Sequence, residues 1–231
     1  MFAFLCRIAV IGAALALMPL SDMAAAGAAP SEIEQAVQAY ASKLRADAER
    51  ARDQAVVNRT TALLRDPATQ VLGNPEGDVA VVEFFDYTCP FCKAVEPRLQ
   101  KLLQDDKGVK LVVKEFPILS SVSLIASKAA LASVKQGKYQ SFHQALLGFR
   151  GQLETSAVFE IAKSVGLDVD RLRNDMDMPE VADQIIANFN LARSLNITST
   201  PTFIVGTHML MEPSAQIDFA KAVAGARAKQ R

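Results

Sequence analysis

Between Val79 and Phe85 the chain runs through seven residues of which Glu83 alone is polar, and Cys89-Pro90-Phe91-Cys92 follows almost at once. A run that is apolar on both alternating faces is a central strand covered on both sides, which favours a parallel or mixed sheet flanked by helices. Lys93 to Gln104 then carries Val95, Leu99, Leu102 and Leu103 at helical spacing, and Val109 to Phe116 reads as a second strand closed by Pro117. The fold class is therefore α/β, with both cysteines at the point where a buried strand hands over to a helix.

That position decides their chemistry. At a helix start the free N–H groups and the macrodipole favour negative charge, so Cys89 is placed as a thiolate, while Pro90 suits the first helical turn. Cysteines so placed have pKa values of roughly 3.5 to 7.5, which makes the sulfur both nucleophile and leaving group near neutral pH. Cys92, nearly one turn on, is within bridging reach and more shielded, the natural resolving thiol. An inert structural bridge and half of a metal site are the other uses of such a motif. Zinc would require two more ligands, from His143, His208 or carboxylates. A setting between strand and helix favours redox exchange.

Glu83, isolated among apolar neighbours, is expected to be desolvated with a raised pKa and to exchange a proton with Cys92. The alternative is an edge-strand glutamate in solvent. Asp86 and Tyr87 are expected on an exposed turn. Further on, Thr200-Pro201-Thr202-Phe203 puts a proline just ahead of a strand, where a cis bond would turn Thr200 backbone groups towards a neighbouring site and a trans bond is the default.

The rest of the chain sets the context. Lys plus Arg (25) balance Asp plus Glu (25), so the basic stripe of a nucleic-acid binder is not expected, and half the residues are apolar, which sets wholesale disorder aside. Three cysteines are too few for a disulfide framework. Arg7, the apolar run Ile8 to Leu17 and an alanine-rich patch read as a secretory signal peptide over residues 1–28; an uncleaved membrane anchor is the alternative. Cys6 would leave with it.

Residues 29–66 read as a helical arm, with Ile33, Val37, Tyr40 and Leu44 in a stripe. That stripe either packs on its own domain or joins copies of the chain into a homo-oligomer through residues 31–64. Asp66, Pro67, Gly73, Asn74, Pro75 and Gly77 form a breaker-rich hinge. Residues 67–118 hold the strand, helix, strand unit, and residues 119–196 are a helical insertion with Asp168 as an N-cap and Pro179 in a first turn. Residues 197–231 return to the sheet with a hairpin and a final helix opening at Ser214.

The segments VEFFDYTCPFCK, KEFPIL and TPTFIVG, separated by the long helical stretch, resemble the DsbA-like branch of the thioredoxin superfamily, and within it the suppressor-of-copper-sensitivity C type. The resemblance covers roughly residues 71–228. It implies a thioredoxin fold interrupted by a helical domain, with Cys89 as nucleophile, Cys92 as resolving thiol, Glu83 as buried acid and Pro201 as the cis-proline opposite the disulfide, after Thr200. Pro90-Phe91 lacks the histidine of the strongest oxidants of that family.

The expected activity is that of an exported protein thiol-disulfide oxidoreductase or isomerase. It needs no cofactor, because the redox-active pair Cys89 and Cys92 carries the two electrons. Its partners would be cysteine-containing substrate proteins, docked around Pro90, Phe91 and Thr200, and a membrane redox partner that reoxidises or reduces the pair. No metal and no nucleic acid is expected. The rival readings are a Cu(I)-handling thiol protein and a non-catalytic surface protein on the same scaffold.

Overall fold

Val79 to Phe85 does form a central strand, and its neighbours explain why all seven residues are buried. The computed structural model describes residues 32–230, so the expected signal peptide lies outside the described residues. The chain divides into two compact units, one ending at Ala46 and the other starting at Asp47, and helix α1 (Glu32–Asn58) runs through the division. In the first unit the stripe Ile33, Val37, Tyr40 and Leu44 is exposed.

The second unit is built on a five-stranded mixed sheet in the order β1-β3-β2-β4-β5. The strands are β1 (Gln70–Gly73), β2 (Val79–Phe85), β3 (Val109–Glu115), β4 (Thr202–Val205) and β5 (His208–Leu210). β2 pairs in parallel with β3, Phe85 opposite Glu115, and antiparallel with β4, Glu83 opposite Phe203. A parallel pair needs a crossover, which α3 (Pro90–Asp105) supplies. Alternation then sorts the side chains. Val79, Val81, Phe85, Leu111 and Val113 share a core with Cys92, Val95 and Leu99 of α3. Val82, Phe84, Val112 and Ile204 share the opposite core with Val56, Leu63 and Leu191.

Between β3 and β4 the chain leaves the sheet for α4 (Ser121–Ala132), α5 (Tyr139–Gly148), α6 (Thr155–Ser164), α7 (Val169–Met176) and α8 (Pro179–Ser194). Asp168 caps α7, its carboxylate accepting the Arg171 N–H at 3.0 Å, and Pro179 opens α8. This is a thioredoxin-type sheet with an inserted helical domain and an N-terminal helix.

Three details depart from the sequence reading. The breaker-rich stretch contains the short edge strand β1, paired antiparallel with β3; four residues are too few to show an alternating pattern. The arm breaks at Arg59 before α2 (Thr60–Leu64), and Val56 and Leu63 are core residues of the second unit. The last helix, α9 (Phe219–Ala228), starts after Ser214–Gln216 has made a single 3-10 turn, because Asp218 is the residue that caps it, accepting from Lys221 N–H at 2.9 Å.

Lys114 is the unexpected guest of the sheet. Its side chain is fully buried on the α2 side and its Nζ donates to the Ala62 carbonyl (3.1 Å) and Thr69 Oγ1 (2.5 Å). Burial pushes its pKa down to about 8.

Candidate functional site

Cys89 is the N-cap of α3 in extended conformation, with Pro90 at the first helical position. Its N–H donates to the Asp86 carbonyl at 3.1 Å and its own carbonyl receives the Lys93 N–H at 3.1 Å, so the sulfur is fixed at the mouth of the helix. The Thr200–Pro201 peptide bond is cis, and it presents the Thr200 carbonyl oxygen 3.3 Å from Cys89 Sγ, which donates to it when protonated. The Thr200 hydroxyl is buried with no nitrogen or oxygen partner, which leaves it for the sulfur. Phe91 is 64 % exposed beside a Cys89 that is only 2 % exposed.

Both thiols are free, and their environments push them apart. Cys89 is lowered to about 6, first by the hydrogen bond from the Cys92 thiol, against the cost of burial, and then by the Thr200 side chain and the Cys92 and Phe91 amides. The helix start contributes, as the sequence suggests, but its amides come after the neighbouring thiol. Cys92 is fully buried and pushed far up, by burial and by the hydrogen bond its thiol donates to Cys89. One sulfur is therefore an anion near neutrality and the other a protonated reserve.

Glu83 lies in the central strand, fully buried, with neither carboxylate oxygen hydrogen-bonded. Burial raises its pKa well above the usual range, and Glu96, Cys89 and Glu115 add to the rise; its charge in turn raises that of Cys92. The solvent-exposed alternative for Glu83 is excluded by its position between β3 and β4.

Asp86 and Tyr87 are not on an exposed turn. Both are fully buried, because the turn folds inwards under the inserted helices. Asp86 accepts from Thr88 N–H (2.7 Å), Thr88 Oγ1 (2.9 Å) and the amides of Ile118 and Leu119 (both 3.0 Å). Glu96, on α3, was also not singled out from the sequence. It is buried, takes a hydrogen bond from Gln100 Nε2 at 2.7 Å, and burial raises its pKa. Its signal was its spacing, four residues after Cys92 on the same helical face.

Neither histidine joins the cysteines. Among the described residues the group of metal-type donors close enough to share an ion is Glu49, Asp53 and His208, and there His208 Nδ1 already lies 2.9 Å from Asp53 Oδ2. A cavity of about 430 Å³ between β5 and α9, lined by Leu210, Ile217, Ala222 and others, contains none of the site residues. The sulfur lies just under the surface, next to the exposed Phe91 and the Thr200 carbonyl.

A family model described as a DSBA-like thioredoxin domain matches residues 80–224, from β2 into α9. The chain belongs to the DsbA-like thioredoxin family. Among solved structures, a thioredoxin-like oxidoreductase from Silicibacter pomeroyi DSS-3 is 44 % identical with a TM-score of 0.69 over 73 % of this chain and 97 % of that one. The catalytic domain of Proteus mirabilis ScsC is 25 % identical with a TM-score of 0.67, over 76 % and 98 %. Among curated relatives, Na(+)/H(+) antiporter NhaA 3 of Salinispora tropica is 31 % identical over 58 % of this chain but only 21 % of its own length. The chain spans about a fifth to a quarter of the antiporters it matches, so the transport in their name stays with them. Among the described residues no helix is long and apolar enough to cross a membrane.

Proposed function

We propose that the protein is an exported thiol-disulfide oxidoreductase that exchanges disulfides with cysteine-bearing proteins. The observation that carries this reading is the opposed pair of thiols, Cys89 lowered to about 6 and Cys92 pushed up beneath it. In the reducing direction the Cys89 thiolate attacks a substrate disulfide, forming a mixed disulfide and expelling one substrate thiolate. Cys92 then gives its proton to Glu83, attacks the Cys89 sulfur and releases the second substrate thiolate. In the oxidising direction a substrate thiolate attacks the Cys89–Cys92 disulfide, and the leaving Cys92 sulfur takes a proton from Glu83. If another substrate thiolate resolves the mixed disulfide first, the result is isomerisation.

Pro90, Phe91, Thr200 and Pro201 form the docking edge. Phe91 offers an exposed apolar surface and Thr200 offers backbone groups, a combination that binds extended chain with little regard for sequence. A membrane redox partner would reset the pair, and the apolar leader in residues 1–28 supports export. The identity to a thioredoxin-like oxidoreductase, 44 %, supports the reaction class.

The test combines two measurements. Iodoacetamide alkylation of the reduced protein should rise with a midpoint near pH 6, and the same protein should speed the refolding of a scrambled disulfide protein. A midpoint above 8, with no acceleration, would remove the proposal.

The exposed stripe Ile33, Val37, Tyr40 and Leu44 supports self-association of the arm, at the spacing of a helical seam. Because Val56 and Leu63 belong to the core, the deletion that probes it must stop at Ala46. Removing residues 32–46 is expected to leave a folded monomer that still reduces insulin, while the full chain sediments as an oligomer. Equal sedimentation coefficients, scaled for mass, would refute it.

A further inference from the structure

The turn that presents Cys89 is anchored at three successive residues, each by a different contact. Asp86 holds the Ile118 and Leu119 amides, where β3 leads into the insert. Thr88 Oγ1 lies 2.8 Å from Ser123 Oγ of α4. Tyr87 reaches deepest, its hydroxyl 3.0 Å from Glu115 Oε1 and 3.0 Å from His143 Nδ1 of α5.

Glu115 is the centre of this arrangement. It is buried at the end of β3 and its carboxylate takes Tyr87 (3.0 Å) and Tyr139 (2.8 Å) on Oε1 and Ser127 (2.6 Å) on Oε2. Its own backbone carbonyl is held by Asn188 Nδ2 of α8 at 3.1 Å. Proton counting makes the assignment consistent. Tyr87 has one proton, and if it goes to Glu115 then His143 must donate from Nδ1, leaving Nε2 bare. His143 Nε2 is indeed buried without a partner, and burial holds the ring neutral, with its pKa down to about 3. Phe85 meets the rings of Tyr87 and His143 edge-on, which closes the cluster against the sheet.

We propose that Glu115 is a positioning residue for the reacting thiol: through Tyr87 it fixes the Cys89 turn to the inserted helices without touching either sulfur. The inference deepens the thiol-exchange reading and rests on it. It gives the insert a task beyond covering the sheet, since α4 and α5 hold the carboxyl that holds the turn and α8 holds the backbone carbonyl of the same residue. The charged and titratable groups that bear on Glu115 are Glu83 from β2, Asp86 and Tyr87 from the turn, and Tyr139 and His143 from α5. Burial raises Glu115 to about 8, so the carboxyl is neutral over most of the range in which Cys89 titrates.

The test uses Tyr87→Phe, which keeps the ring and removes the hydroxyl, and Glu115→Gln, which keeps the shape and replaces an acceptor oxygen by an amide NH2. Loosening the turn takes the Cys92, Phe91 and Thr200 donors out of register with the sulfur. The midpoint of Cys89 alkylation should therefore move upward from about 6, and exchange at pH 7 should fall about tenfold or more, as small misplacements of reacting groups do. The double variant should add nothing to the larger single effect, because both act on one contact. Ser127→Ala removes a single donor and must show a smaller move in the same direction, which covers a fold lost in the others. A lower melting temperature with an unmoved alkylation profile would reduce Glu115 to a packing residue and overturn the proposal. Absence of exchange in the unaltered protein would instead strike at the thiol-exchange reading.

Discussion

Cys89→Ser is expected to bring catalysed refolding down to the uncatalysed rate, and Cys92→Ser to do something different. With Cys92 gone, the Cys89 thiolate still attacks but no internal thiol resolves the product, so mixed disulfides with substrate proteins accumulate. Non-reducing electrophoresis after incubation with a scrambled disulfide protein reads this directly, as heavier bands that dithiothreitol removes. The asymmetry follows from burial: Cys89 touches solvent at the helix mouth, whereas Cys92 lies wholly beneath it. Trapping by Cys92 alone, in the Cys89→Ser background, would reverse the assigned roles. Equal trapping by both single variants would show that neither thiol is shielded. Cys92→Ser should also raise the Cys89 pKa above about 6, because the largest stabilising contact of the thiolate is the Cys92 thiol.

Glu83→Leu should stabilise the protein and slow it. The carboxyl is buried with both oxygens unpaired and its pKa is raised well above the ordinary 4.5. The folded state therefore binds this proton more tightly than the unfolded state does. The stability it permits is complete below pH 4.5 and declines as pH rises towards the folded value, the direction set by linkage. Leucine removes that decline, and a gain of about 1 to 3 kcal/mol at pH 7 follows from mutational costs of burying an unpaired polar group. Urea unfolding at pH 4 and pH 7 measures it: the difference between variant and parent should be larger at pH 7. Glu115, raised to about 8, leaves a remaining decline in the variant, so its curve is shallower and not flat. Proton exchange with Cys92 should fall by a factor of about a hundred or more, the usual worth of a positioned acid–base group. A variant equally stable at pH 4 and pH 7 relative to its parent would contradict the unpaired burial.

The legible parts of this molecule are those where one side-chain pattern has one outcome. An apolar run on both faces can only be an interior strand, and β2 spans the residues its pattern marks. The same logic found Glu83, because a lone acid on such a strand has nowhere to be but inside. Applied to β3 it would also have found Glu115, which follows Leu111 and Val113 on one face, and Lys114, which follows Val112 on the other. The lysine and glutamate side by side read as a polar strand end, and only the register with Phe85 places the acid under the insert. Asp86 and Tyr87 were misplaced for a related reason. A turn after a strand is normally wet, and no local pattern reveals that helices more than thirty residues further along will fold over it. The cysteine pair was legible as chemistry, while the ordering of the influences on Cys89 was not, since it depends on how two sulfurs and Thr200 converge.

Cys89 is almost wholly covered, with the exposed Phe91 next to it in the chain and the Thr200 carbonyl in contact with its sulfur. On the thiol-exchange reading, a sulfur covered to this degree would be reached more readily by a slack polypeptide than by a protein whose bridges are locked in a stiff surface.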